Sequence, residues 1–198
     1  MKIKKYLIAT FVLVILWGCG GGVVIASEDR TLTSLEEEVI AELNLVRADP
    51  ATYAKKYLKD LSGEAARECY EEFLETTPIG KLRNSKGMSR AARDLALDQS
   101  KNGRTGHDSS DGSNPFERME RYGSWMGSAG ENVSYGMARA RAIVLQLVID
   151  EGVPSRGHRK NILAPNFTRI GVAYATHTKY RHMFVMDFAN DFIEAEEK

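Results

Sequence analysis

His158 lies within Ser155 to Ala173, SRGHRKNILAPNFTRIGVA, between a glycine turn and a segment leading into a strand. A second histidine follows a glycine at Gly106-His107, and an acid sits in Gly130-Glu131-Asn132. Imidazoles and carboxylates are the side chains that bind divalent metals or move protons near neutral pH. Three such groups in glycine-marked contexts point to one polar site assembled from distant loops. Two neutral imidazoles with one or two carboxylates can hold a divalent ion such as zinc, with water in an open position; His107 and His158 alone would hold it weakly and exchangeably. The other physical role is a hydrogen-bonded set in which carboxylates fix the imidazole tautomers.

Other chemistries lack their signatures. There is no Gly-x-Ser-x-Gly elbow, no His-Glu-x-x-His helix and no Gly-x-x-x-x-Gly-Lys phosphate loop. Ser109 and Ser110 follow His107 closely, but small polar residues after a glycine read as turn formers. His177 and His182 flank a turn and are expected to face solvent without a role. Arg156, Arg159 and Lys160 read as a solvated basic face beside His158. The sequons at Asn132 and Asn166 matter only in a eukaryotic secretory route, and Asn132 is already committed to the Glu131 segment.

The elements that must position these groups follow from periodicity. Ser34 with Glu37 reads as a capping box, and Leu35, Val39, Leu43 and Val46 recur at helical spacing up to Pro50. Helical patterns follow over 51–58, 65–74 (with Cys69 as a packed thiol) and 88–102, the last ended by Gly103. Residues 78–87 read as a loop. Asn114 and Pro115 open a short helix to Tyr122, residues 123–130 read as a glycine-rich loop, and 139–150 is helical with Ile143, Leu147 and Val148 buried. Residues 169–176 and 182–190 form a β-hairpin, and a third strand includes 133–135. Helices around a small antiparallel sheet, an α+β arrangement, satisfy the need to cover each apolar face.

With 198 residues, 43% hydrophobic and 27% charged, the chain suits one domain behind an export segment. Lys2, Lys4 and Lys5 precede an apolar run from Tyr6 to Trp17, short for a membrane span but right for a signal peptide. Leu16-Trp17-Gly18-Cys19 is similar to a bacterial lipobox, in which Cys19 would be lipidated and anchor the chain to a membrane, whereas Val24-Ile25-Ala26 would suit ordinary signal peptidase. We divide the chain into a signal peptide at 1–18, a linker at 19–31, a domain at 32–190 and a tail at 191–198. The balance of 27 basic and 27 acidic residues gives no footprint for nucleic acid. With Cys19 lipidated, Cys69 has no partner, so the fold must hold without disulfides.

From about Leu32 to Asn190 the chain resembles the CAP superfamily: cysteine-rich secretory proteins, antigen five and pathogenesis-related proteins, also called SCP-like extracellular domains. The family's first site histidine matches His107, its Gly-Glu-Asn signature matches residues 130–132, its second histidine matches His158 in GHRKNIL, and its terminal strand resembles HMFVMDFA. The family's second site acid falls on Asp150, with Glu151 adjacent; the tryptophan that usually precedes it and the disulfides of animal and plant members are absent, which places the chain nearer the bacterial branch. The resemblance implies an αβα sandwich whose cleft holds His107, Glu131, Asp150 and His158. It implies an exported envelope lipoprotein or secreted protein, whose cleft takes a lipid, peptide or wall-fragment ligand with zinc or another divalent metal weakly bound at His107 and His158. The competing reading is a metal-dependent hydrolase at the cell envelope.

Overall fold

The computed structural model describes residues 32–196. The signal peptide, the lipobox with Cys19 and the linker lie outside the described residues. Seven helices and four strands follow one another among those described: α1 (Ser34–Ala48), α2 (Pro50–Tyr57), α3 (Glu64–Glu75), β1 (Arg83–Asn84), α4 (Lys86–Asn102), α5 (Pro115–Glu120), β2 (Gly123–Tyr135), α6 (Ala140–Ile149), α7 (Gly157–Leu163), β3 (Arg169–His177) and β4 (Arg181–Glu194). The strands form one sheet in the order β1-β3-β4-β2. The β3–β4 hairpin and the β2–β4 pair are antiparallel, whereas β1 pairs with β3 in parallel.

Strand β4 shows how the layers are built. Its side chains alternate across the sheet. Phe184, Met186 and Phe188 pack with Val39 and Leu43 of α1, Ile143 and Leu147 of α6 and Ile162 of α7. Met183 and Val185 face Ala92, Leu95 and Ala96 of α4, and Ala189 joins Met88 and Met119 of α4 and α5. Both faces are therefore covered, so β4 reads as a nearly continuous buried run. Burying each large apolar side chain contributes about 1.5–3 kcal/mol. The result is an αβα sandwich, as expected. Cys69 is a buried free thiol whose pKa burial pushes up to about 12, so it packs as an apolar residue.

Several local expectations shift. The first helix is capped by Thr33 and Glu36, not Ser34 and Glu37: Thr33 Oγ1 accepts the Glu36 N–H and Glu36 Oε2 accepts the Thr33 N–H at 2.7 Å. Glu36 Oε1 also accepts the Tyr174 N–H of β3 at 3.0 Å, a tertiary contact that selects this register. The stretch read as a loop at 78–87 contains β1 and the start of α4. The glycine-rich 123–130 segment is strand, not loop. Gly123 permits β4 to approach so closely that a Cβ would lie 2.2 Å from the Ile193 carbonyl oxygen, and irregular register between Met126 and Ala129 accommodates Gly127 at φ +75°. Strand β4 extends to Glu194, into the stretch read as tail. There Glu194 accepts hydrogen bonds from Ser85 Oγ and the Gly87 N–H, both at 2.7 Å, pinning the end of β4 to the start of α4.

Helix α4 crosses β3 at unusually close range over Gly171, where a Cβ would lie 2.1 Å from the Met88 carbonyl carbon and 2.4 Å from the Ser89 nitrogen. Backbone cannot yield as a flexible side chain can. Gly171→Ala is therefore expected to cost about 3 kcal/mol, toward the upper end of overpacking penalties, read as a lower denaturant midpoint with an unchanged m-value.

Candidate functional site

His107 sits in the loop that begins where Gly103, at φ +69°, ends α4. Its approach is tethered at several points. Gln99 Nε2 donates to the Gly106 carbonyl at 2.9 Å, the Gly106 N–H donates to Tyr135 Oη at 3.1 Å, and Tyr135 in turn donates to Gln99 Oε1 at 2.6 Å. Beyond the histidine, Asn114 caps α5, as expected, and this short helix supplies Arg118. Arg118 is fully buried, and its Nη1 donates to the carbonyls of His107 and Ser113 at 2.9 Å each and to Ser109 Oγ at 3.2 Å.

The same guanidinium holds the acid that the histidine needs. Arg118 Nη2 donates to Glu131 Oε2 at 2.6 Å, while His107 Nδ1 lies 2.7 Å from Glu131 Oε1. One side chain thus fixes both the backbone of His107 and the carboxylate that faces its ring. Glu131 keeps only 1% of its side chain exposed, whereas the His107 side chain is 49% exposed. The imidazole reaches solvent and its anchor does not.

A second pair has the same design. Asp150 ends α6 in the left-handed region at φ 57°, a conformation that aspartate tolerates better than most residues. From there Oδ2 accepts the His158 N–H at 2.9 Å and Oδ1 lies 2.6 Å from His158 Nδ1. The short side chain suffices because the chain folds back on itself between α6 and α7. Arg156, also left-handed at φ 51°, ties that connection by donating to the carbonyls of Asp150 and Val153 and to Glu68. Arg159 is not part of a solvated basic face: it is fully buried and donates to the carbonyls of Val148, Ile149 and Ala65 and to the carboxylates of Glu68 and Glu72. It satisfies carbonyls that the end of α6 would otherwise leave unpaired.

Two asparagines stitch the pairs together. Asn132, fully buried beside Glu131, donates from Nδ2 to the His158 carbonyl at 3.0 Å and accepts from Asn161 Nδ2 at 2.8 Å. Asn161 Nδ2 also lies 3.4 Å from the Glu131 carbonyl. Gly130 leaves room for this contact, since a Cβ there would meet the Asn161 side chain at 3.0–3.2 Å. Arg47 secures the far end of α7 through the carbonyls of Ile162, Ala164 and Phe167.

The four expected residues therefore assemble as two imidazole–carboxylate pairs on adjoining elements. Among the described residues no group of three or more His, Cys, Asp or Glu side chains is arranged to hold a metal ion. In each pair the carboxylate faces Nδ1, so a neutral ring carries its proton there and presents the Nε2 lone pair elsewhere. Among the described residues neither Nε2 has a hydrogen-bond partner. This geometry allows Nε2 to accept from a ligand donor or to coordinate a metal, and a protonated ring to donate to an anion.

His177 departs from the expectation of a solvent-facing residue. It is buried, Nε2 donates to the Arg104 carbonyl at 2.8 Å, and Nδ1 accepts the N–H groups of Lys179 and Tyr180. It braces the base of the His107 loop. His182 meets Tyr174 Oη at 2.8 Å through Nδ1. Sequence reasoning also passed over Arg118, Asn161 and Asp187. Arg118 and Asn161 carry no periodic signal, but Asp187 interrupts the inward series Met183, Val185, Ala189, which marks it as a buried acid.

The Glu131 hydrogen bond raises the His107 pKa above its ordinary 6.5, outweighing burial and the nearby Arg118 charge, which pull it down. A raised folded value means that this stabilisation is complete below about pH 6.5 and is lost as pH climbs through the folded value. An NMR titration in chelator should place the His107 midpoint above the unfolded one, and Glu131→Gln should bring it down. A wild-type midpoint at or below that of an unfolded peptide would contradict the pairing.

Residues 42–188 match the model of the cysteine-rich secretory protein family, CAP. Uncharacterized protein YkwD of Bacillus subtilis (strain 168) is 32% identical over 146 residues, covering 70% of this chain and 54% of that protein. The chain spans about half the length of the curated relative it matches. Among solved structures, an outer surface protein from Borrelia burgdorferi superposes with a TM-score of 0.52 at 16% identity, covering 77% of this chain and 92% of that one. An extracellular protein containing an SCP domain from Bacillus anthracis str. Ames gives a TM-score of 0.48 at 22% identity, covering 57% and 35% respectively.

Proposed function

We propose that this chain, which belongs to the cysteine-rich secretory protein (CAP) family, is an exported binding domain whose His107 and His158 engage a ligand through Nε2. The observation that carries this reading is the matched pairing of both rings with buried carboxylates at Nδ1. Such pairing fixes the tautomer and orientation of a ring, as an outer-shell carboxylate does for a metal-bound histidine. It costs buried charge to maintain, and a purely structural histidine does not need a half-exposed ring above it.

By the chemistry of its donors, two imidazoles with open Nε2 atoms, the site would suit a weakly held divalent metal. His107 and His158 would supply imidazole nitrogen, while Glu131 and Asp150 are spent on Nδ1 and act as orienting partners. Two imidazoles fall short of the three or four protein ligands of a firm zinc site, so binding is exchangeable. A metal there would supply a Lewis-acidic position for a ligand oxygen or a water molecule. The ligand class is an extracellular lipid, peptide or wall fragment. Export rests on the Lys2 to Trp17 segment, with anchoring through Cys19 or release after Ala26, and the Borrelia relative is likewise named an outer surface protein.

Zinc titration calorimetry on the exported chain tests this site. Weak binding is expected, abolished in the His107→Ala/His158→Ala double variant and weakened about 10–100-fold by Glu131→Gln. Zinc affinity unchanged in the double variant would refute the assignment. Cleavage of peptides or wall fragments that the double variant loses would instead identify a hydrolase.

A further inference from the structure

Asp187 occupies the middle of β4, the central position between β2 and β3, and is completely buried. Its register partners are Glu131 on β2 and Gly171 on β3. Directly opposed residues share a sheet face, so Asp187 lies on the α4/α5 side beside Glu131. No N–H or O–H donor of the described residues reaches either of its oxygens. Gly171 contributes no side chain, and the backbone of α4 closes over it at Met88 and Ser89.

The charges that act most strongly on Asp187 are those of Glu131 on β2, Arg118 on α5 and Asp94 on α4. Arg118 is paired with Glu131 through Nη2, and its Nε, itself buried without a partner among the described residues, makes no hydrogen bond to Asp187; Asp94 is engaged by Arg121 and by the Tyr122 hydroxyl. An ionised Asp187 would place a second carboxylate against Glu131 with one guanidinium to serve both. Two buried carboxylates at one site do not both ionise, because burial and like-charge repulsion both favour the neutral acid. Burial and the Glu131 charge indeed push the Asp187 carboxyl well above its ordinary value.

We propose that Asp187 is a positioning residue held as a neutral carboxylic acid, whose O–H donates across the strands to the Glu131 carboxylate. Glu131 then accepts from three directions: Arg118 Nη2, His107 Nδ1 and Asp187. The third bond fixes the plane of the carboxylate that orients His107, and it satisfies an acid that would otherwise be orphaned. The buried cluster of Arg118, Glu131 and Asp187 is neutral overall. The His107 ring therefore sits above a pair of balanced charges and not above excess negative charge. The inference builds on the role given above to Glu131, but the proton is read without ligand or metal, so either result can fail while the other stands.

Infrared spectroscopy of the metal-free chain at neutral pH reads the proton directly. A protonated-carboxyl C=O band is expected that moves on isotopic labelling of aspartate carboxyls, stays on labelling of glutamate, and vanishes in Asp187→Asn. The labelling needs no variant, so it decides the matter even if Asp187→Asn fails to fold. Where that variant folds, its amide keeps the hydrogen bond to Glu131, and its melting temperature should gain on wild type as pH rises from about 4, where unfolded aspartate ionises. A missing band, a band that follows glutamate labelling, or a band that survives in Asp187→Asn overturns the proposal.

Discussion

The buried ion pair between Arg118 and Glu131 is the contact on which the site depends. Taking a guanidinium and a carboxylate out of water is costly, and their attraction repays the cost only when the remaining hydrogen-bonding capacity is used. Here most of it is used on the site itself. Arg118 spends Nη1 on the His107 carbonyl, Ser109 and Ser113, while its buried Nε has no partner among the described residues, and Glu131 spends its other oxygen on the His107 ring. The loop that carries His107 has little apolar surface of its own. Its conformation is set by this pair and by the Gln99, Tyr135 and His177 braces at its base.

The sheet makes the pair possible. Glu131 and Asn132 are consecutive on β2, so their side chains leave opposite faces. Glu131 points into the α4/α5 layer, toward Arg118 and His107, while Asn132 reaches α7 on the other side and holds the His158 carbonyl. A dipeptide on one strand thus joins the two histidines, which sit on elements of different layers. In the second pair Asp150 is local to His158, and the buried Arg159 and half-buried Arg156 serve the main-chain carbonyls of the connection instead of the Asp150 carboxylate. The two left-handed residues, Asp150 and Arg156, fold the connection so that the carboxylate meets both the backbone and the ring of His158.

Much of this arrangement was legible in the sequence, for physical reasons that differ by residue. His107, Glu131 and His158 stand beside glycines, and the β3–β4 hairpin and the amphipathic helices declare themselves through periodicity. The glycines of 123–130 misled, because they serve close approach of β4 and α7 instead of a turn. The cap of α1 shifted by one residue because Glu36 has a partner on β3 that local pattern does not reveal. Arg118, Arg159 and His177 were hidden for a related reason. A buried cation or imidazole whose partners are main-chain carbonyls far along the chain leaves no periodic trace. Asp187 was the exception, readable as an acid at an inward strand position.

The account rests on both imidazoles being held as the Nδ1–H tautomer, with Nε2 left for a ligand. Long-range proton–nitrogen NMR correlations on the metal-free chain, at a pH where the rings are neutral, report that tautomer for each ring. The account predicts a protonated Nδ1 and a bare Nε2 at both His107 and His158. A protonated Nε2 at either ring would contradict it.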